Sequence, residues 1–321
     1  MAGTLFQAEF EKPILELERQ IAHLRRLAED RKLDVQEEIG PLEAKLVALR
    51  RDIYDRLTPI QKVQVARHPD RPYTNDYIKM LFTDFIELKG DRLYRDDPAI
   101  VCGWARYHGR PVVIIGHQRG RDAKENLLRT FGCAHPEGYR KALRMMHMAE
   151  RFHAPVITFV DTMGAYPGIG AEERGQASAI AQNLEAMAGL RTPIITTVIG
   201  EGGSGGALGL ALADRVLMLE HAVYSVISPE GCAAILWKDA SHKERAADSL
   251  GLTAQRLFEL RLIDEIVKEP AGGAHTDFAE AAALLDVALE AHVNVLVKQK
   301  PDKLIRTRAE KYFAMGVFAE G

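Results

Sequence analysis

An α/β fold, with strands covered by helices on both faces, is what this 321-residue sequence predicts. Three patterns predict it. Short apolar runs of strand length alternate with segments of helical spacing from about residue 99 onward. The central runs are apolar on both faces, as strands buried between two helical layers must be. Two glycine-rich turns each follow such a run and precede a helix.

The elements come in order. Ile14, Leu17, Ile21, Leu24 and Leu27 recur at three- and four-residue steps, and Leu42, Leu46, Leu49, Ile53 and Leu57 repeat the pattern after Gly40-Pro41. Each stripe lies on an otherwise densely charged segment. The pair predicts a helical hairpin laid against its own body or a neighbouring chain. A linker around Arg67–Pro72 follows, then a helix over Thr74–Leu88 from the spacing of Tyr77, Leu81, Phe85 and Leu88. Ala99–Tyr107 and Pro111–His117 flank His108-Gly109-Arg110 and predict a β-hairpin. Pro155–Val160, Pro193–Ile199 and Arg215–Leu219 predict buried strands; Pro136–Phe152, Gly175–Ala188 and Gly205–Ala213 predict helices between them. The tail is helical over Thr276–Lys300 and Lys303–Met315. The expected division is residues 1–60 as hairpin, 61–300 as the α/β body and 301–321 as a C-terminal helix.

Bulk properties exclude several classes. A net charge of −3 gives no electrostatic case for nucleic acid or an anionic membrane surface. No apolar run approaches 18 residues, and the acidic N-terminus does not resemble a signal peptide, so a cytoplasmic location is expected. The three cysteines, Cys102, Cys133 and Cys232, are scattered and make neither a disulfide framework nor a metal ribbon. Cys232 is expected as a buried structural thiol, His117 as a core histidine with its polar atoms satisfied, and Trp237 as packing.

The chemistry points to the two turns, Asp161–Gly168 and Gly200–Ala207. Five glycines in the seven residues from Gly200 to Gly206 imply unusual backbone angles or a close approach. At a strand-to-helix junction, free amides and the helix dipole converge on one point and attract negative charge. Four readings of the second turn stand beside one another. Gly200-x-Gly202-x-x-Gly205, with Glu220 at the next strand's end, matches a dinucleotide fingerprint. Gly202-x-Ser204-x-Gly206 matches a nucleophile elbow, with Asp264 and His275 or His292 downstream. Backbone amides alone make an oxyanion hole, and tight helix–strand packing needs no chemistry at all. A fingerprint usually opens its domain and precedes a longer helix. No histidine stands out as the partner of Ser204. Two such turns side by side suit a clamp on one anionic atom.

These strings also carry a resemblance. Arg71-Pro-Tyr-Thr74, Gly116-His-Gln118, Pro136-Glu-Gly-Tyr-Arg-Lys141, Asp161–Gly168, Gly170–Gln176, Gly200–Ala207 and Ser225–Cys232 are similar to the α subunits of bacterial acetyl-CoA carboxylase carboxyltransferases, in the same order and spacing from the N-terminal helices to about Gly273. Met163 departs from it, since that family usually has proline there; methionine restores an N–H donor and some freedom. The resemblance implies a crotonase-like fold of repeated β-β-α units and transfer of a carboxyl group from carboxybiotin to acetyl-CoA, giving malonyl-CoA for fatty acid synthesis. It implies no permanently bound cofactor and no nucleotide site. Biotin on a carrier protein and a CoA thioester are substrates, and zinc belongs to the partner β subunit. The implied partners are that β subunit in an α2β2 assembly, biotin carboxyl carrier protein and biotin carboxylase.

Under this reading the amides around Gly205, Gly206 and Ala207 hold the biotin ureido oxygen, with Gly164 and Ala165 on the opposite side. Gly202, Gly203, Ser204, Tyr166, Gly168, Glu230 and Gly231 border the substrates. Gly206→Val is expected to obstruct the pocket without disturbing the fold. Arg119, Arg121, Lys124 and Arg129 are either a contact for CoA phosphates or the carrier, or a solvated loop. Glu172, Glu173 and Arg174 either close the site or charge the first turn of a helix. A stand-alone crotonase-type hydratase, the nearest rival, needs paired carboxylates in its site.

Overall fold

The computed structural model describes residues 8–31 and 36–316. Residues 1–7, 32–35 and 317–321, which belong to the expected hairpin and C-terminal segments, lie outside them. The hairpin is α1 (Lys12–Arg31) and α2 (Gln36–Asp55). The boundary expected at Gly40-Pro41 is not one: α2 carries Pro41 inside, because Ile39 is buried with Leu17 and Ile21 and draws that turn into the helix. At its base the hairpin packs on its own body. Tyr54 and Ile14 cluster with Val65 of α3 (Pro59–Ala66), and the Tyr54 ring meets the His221 ring edge-on at 5.3 Å.

α4 (Thr74–Leu81) stops seven residues short of the expected helix end. Helical spacing happens to continue to Leu88, but Thr83, Phe85 and Ile86 are strand formers, and residues 83–87 form β1 (Thr83–Glu87). The β-hairpin is present as β2 (Ile100–Tyr107) and β3 (Arg110–His117). Then come α5 (Ala123–Leu128), α6 (Pro136–Arg151), β4 (Val156–Thr162), α7 (Ile169–Glu173), α8 (Gln176–Gly189), β5 (Ile194–Gly203), α9 (Ser204–Ala211), β6 (Arg215–Leu219), β7 (Val223–Ser225), α10 (Pro229–Trp237), α11 (Lys243–Leu250), α12 (Ala254–Glu259), β8 (Glu265–Val267), α13 (Phe278–Leu296) and α14 (Pro301–Phe313).

One eight-stranded sheet runs β1-β2-β3-β4-β5-β6-β8, with β7 paired to β5 off this path. The first three strands are antiparallel and the rest parallel. Every residue of β4 is buried, so helices cover both its faces. α6 packs on β2 and β3, α9 on β4 and β5, and α13 on β5 and β8. Among the described residues, no helix is long and apolar enough to cross a membrane.

The C-terminal helix is bolted to the sheet by charge. Arg308 of α14, 1% exposed, donates to both carboxylate oxygens of Asp214 at 2.9 and 2.8 Å and to the carbonyls of Leu190 and Thr192. Asp214 in turn accepts the Ile194 amide at 2.8 Å. Arg308→Ala strands that buried carboxylate, and urea unfolding should show a loss of about 3–5 kcal/mol.

Candidate active site

β4 and β5 run parallel from Val156↔Ile194 to Val160↔Val198, after which the register slips to Thr162↔Gly202. Both strands therefore end at one edge of the sheet. The second glycine segment is not a turn throughout: Gly200–Gly203 continue β5, and Glu201, Gly202 and Gly203 pair with Val223, Tyr224 and Ser225 of β7. The chain reverses at a single residue, Ser204, in the left-handed region at φ 55°. This is the strained strand-to-helix corner that the elbow reading anticipates.

The glycines are there for contact. A Cβ on Gly203 would lie 2.1 Å from the Met163 carbonyl oxygen, and one on Gly206 would lie 2.4 Å from the Ala165 nitrogen. The two turns thus abut, backbone on backbone, as one continuous surface; they are not walls facing across a gap. Gly206→Val cannot fill a pocket and spare the fold as expected, since even one added carbon meets main chain. Gly203, Ser204 and Gly205 are half-buried at the rim, beside Gly164, Ala165 and Tyr166. Gly206 is buried, and Ala207 is wholly so (0% exposed). The amide of Gly164 is already used by Thr162 Oγ1 at 3.1 Å and that of Tyr166 by the Ala134 carbonyl at 3.0 Å. No side chain caps α9, and its leading amides are out of reach of any helical carbonyl.

The remaining predicted residues also make contacts within the chain. The Tyr166 ring stacks on His135 at 4.1 Å, and Gly168 is the N-cap of α7. The Gly231 amide donates to Ser228 Oγ, the N-cap of α10. The Glu230 carboxylate accepts from Arg67 Nη1 at 2.9 Å. Cys232 is buried as expected, 8% exposed, and Arg174 is bonded to the buried Glu137 at 2.7 Å.

Beneath the turns lies a charge network that the sequence reading missed. Glu201, 5% exposed, accepts from Arg67 Nε at 2.7 Å and Arg119 Nη2 at 2.8 Å. Asp161 accepts the Glu201 amide at 3.0 Å and forms a 3.4 Å ion pair with Arg119 Nε. Burial opposes the charge on Arg119, but Asp161 and Glu201 outweigh it and raise its pKa. Burial also raises Asp161, with Arg119 working against the rise. Arg119 is committed to Glu201 and Asp161, and its loop is not simply solvated: Arg121 bonds the Pro69 and Arg71 carbonyls, and Arg129 bonds that of Pro98. The available signal was Asp161 and Glu201 themselves, carboxylates placed inside apolar or glycine-rich strand ends where a charge needs a partner.

The rival constellations do not assemble. His275 stacks on His68 at 4.0 Å beside the hairpin, His292 bonds Glu265 at 2.7 Å, and Asp264 bonds Lys311 at 2.9 Å, so none of them serves Ser204. Glu220 bonds Lys268. The two carboxylates nearest the turns, Asp161 and Glu201, are buried against arginines and unfit for paired acid–base work.

His117 is core but not satisfied. It is wholly buried, faces the backbone of Phe159 and Gly206, and neither ring nitrogen makes a hydrogen bond of regular geometry. Burial, then the Arg119 charge, push its pKa down from 6.5 to about 3. Unfolding restores the ordinary value, so between pH 6.5 and 3 the unfolded chain holds the extra proton. Stability from this group is complete above 6.5 and is lost as pH falls toward 3. His117→Asn should remove up to about 1.4 kcal/mol per pH unit from the slope of unfolding free energy against pH in that window, read by urea titrations at stepped pH.

With this geometry in view, the likenesses are specific. A sequence model of the family described as acetyl co-enzyme A carboxylase carboxyltransferase-like matches residues 7–316. The acetyl-coenzyme A carboxylase carboxyl transferase subunit alpha of Gemmatimonas aurantiaca is 60% identical over 315 residues, covering 97% of this chain and 98% of that one. The same subunit of Halalkalibacterium halodurans is 56% identical over 98% of this chain and 96% of its own length. Among solved structures, the transcarboxylase 12S core aligns with a TM-score of 0.53 at 22% identity, covering 68% of this chain and 42% of that one. The Pseudomonas malonate decarboxylase MdcD-MdcE hetero-dimer aligns at 0.54 and 16%, covering 68% and 89%. These structural likenesses show a shared fold. The sequence matches, spanning nearly the whole chain, place it in the acetyl-coenzyme A carboxylase carboxyltransferase family, among its α subunits.

Proposed function

We propose that this chain is the α half of a carboxyltransferase that moves the carboxyl group of carboxybiotin to acetyl-CoA, producing malonyl-CoA, and that it works only with a β subunit. One observation carries the reading: a helix N-terminus with no side-chain cap, at a strained corner that abuts a second backbone turn, with the nearby carboxylates Asp161 and Glu201 committed to arginines.

The reaction suits such a site. Cleavage of the N–CO2 bond leaves biotin as a ureido enolate, loss of a methyl proton makes acetyl-CoA a thioester enolate, and the enolate carbon adds to the released CO2 to form malonyl-CoA. The departing biotin takes that proton itself, so the protein need only stabilise oxygen charge. The amides of Gly205 and Gly206 hold the biotin oxygen, with the Gly164-Ala165 segment as the shelf that fixes them. Ala207, wholly buried, supports this corner without reaching the oxygen. Gly202, Gly203 and Ser204 set the edge of the site, while Tyr166, Gly168, Glu230 and Gly231 hold its flanking loops. A preorganised donor of this kind is worth about 3 kcal/mol in the transition state.

Met163, Leu208 and Val226 are 51%, 44% and 73% exposed near this rim. That apolar edge suits a partner chain, which supplies most of the CoA site in an α2β2 assembly. The biotin arrives on its carrier protein from the biotin carboxylase component, in the cytoplasm.

The test is co-purification with the β subunit and biocytin-dependent decarboxylation of malonyl-CoA. Gly206→Ala, whose new carbon would meet the Ala165 nitrogen at 2.4 Å, should pry the turns apart and lower kcat by at least about 100-fold. Wild-type turnover by that variant refutes the assignment. Ser204→Ala should keep turnover within about threefold, since only main-chain donors act on the oxygen; labelling of Ser204 by a fluorophosphonate would instead favour a hydrolase.

A further inference from the structure

α9, Ser204-Gly-Gly-Ala-Leu-Gly-Leu-Ala211, is a poor helix by composition, with three glycines among eight residues. Its last carbonyls have no helical amide to receive. The fold supplies other partners, all but one of them buried. Gly209 O accepts from Asn183 Nδ2 at 3.0 Å. Leu210 O lies 2.8 Å from Thr158 Oγ1 and 3.1 Å from Thr196 Oγ1; the two hydroxyls are hydrogen-bonded to each other at 2.7 Å, so one donates to the carbonyl and the other donates to its fellow hydroxyl. Ala211 O accepts from the Tyr312 hydroxyl at 3.3 Å. Nearer the head of the helix, Gly206 O accepts from the Tyr139 hydroxyl at 3.2 Å. Asn183, Thr158, Thr196 and Tyr139 are each 0% exposed.

These donors come from α6, α8, β4, β5 and α14, and every one is neutral. Their convergence is not a general habit of this sheet. Thr197, the next residue on β5, is just as buried, and its hydroxyl has no partner. The consequence is electrostatic. A helix whose carbonyl end is met by donors has its negative pole compensated, while hydrogen-bonded peptide units polarise one another in series. The positive pole, at Ser204–Gly206, is left uncapped at the rim.

We propose that Asn183, Thr158 and Thr196 are positioning residues that act through α9, strengthening its attraction for an anion at the glycine corner from the buried far end. The proposal rests on the reading of that corner as the seat of the biotin oxygen, and it assigns a part in catalysis to side chains that never meet substrate.

The experiment places a reporter at the head of α9. In the Ser204→Cys chain, thiolate formation is followed against pH by ultraviolet absorbance and by iodoacetamide labelling, with mass spectrometry separating this thiol from Cys133. The reporter should titrate below an ordinary cysteine, as thiols at helix N-termini do. Adding Asn183→Leu, or Thr158→Val with Thr196→Val, should raise its pKa by about 0.3–0.5. Thr196→Val alone, the milder change, should do so in part. Thr197→Val should leave it unmoved. With Ser204 intact and the β subunit present, Asn183→Leu should lower kcat about two- to threefold at constant KM. A thiol that ignores all three changes, or that responds equally to Thr197→Val, overturns the proposal. A thiol that responds while kcat does not upholds the field of α9 and overturns the use of that corner by the reaction.

Discussion

Contact between two stretches of main chain at the ends of β4 and β5 is the constraint on which the rest of the site depends. The Met163 carbonyl lies against Gly203, and the Gly164-Ala165 peptide lies against Gly206. No side chain fits between them, which fixes glycine at both positions more firmly than any demand of backbone angle. The contact also forces an abrupt corner, and Ser204 takes it in a left-handed conformation that costs a non-glycine residue on the order of 1 kcal/mol. Strain of that size persists only where the surroundings over-determine it. Here the surroundings are Glu201 and Asp161, clasped by Arg67 and Arg119 directly below.

That network shows how buried charge serves geometry. Removing ions from water is costly, and a buried pair often contributes little net stability. What it does supply is direction. Glu201 is held on one oxygen by Arg67 and on the other by Arg119, so the strand end that carries Gly202 and Gly203 has few ways to shift. Arg67 continues to Glu230 at the first turn of α10. Arg71 makes a parallel clasp with Glu269 at 2.8 Å, where burial works against the carboxylate but the Arg71 charge prevails and brings its pKa down to about 2. The corner therefore stands on a floor of paired charges.

The sequence revealed the strands and helices best where packing decides them. β2 to β6 are dense apolar runs, and their bounds fall within a few residues of expectation. Legibility failed where a period was shared by two structures: Phe85 and Leu88 continue a helical stripe yet belong to an edge strand and its exit. It failed again at Gly200–Gly203, where glycine suggested a turn and the chain is still a strand paired with β7. Glycine there marks crowding by a neighbouring backbone, and crowding depends on what lies across space. The roles of Arg67 and Arg119 were hidden for the same reason. Each is an ordinary cation in its local string, and its partners stand 134 and 82 positions away.

One feature of the sheet bears on how such an enzyme diversifies. β6 and β7 share the same flank of β5, the first alongside Ile195–Val198 and the second alongside Glu201–Gly203. The strand is thus split into an anchored trunk and a projecting ledge. Changes in β7 and the α10 segment that follows can remodel the ledge while the trunk keeps its pairing with β6. The shape of the corner and the pairing that holds the sheet together are thereby assigned to separate lengths of one strand.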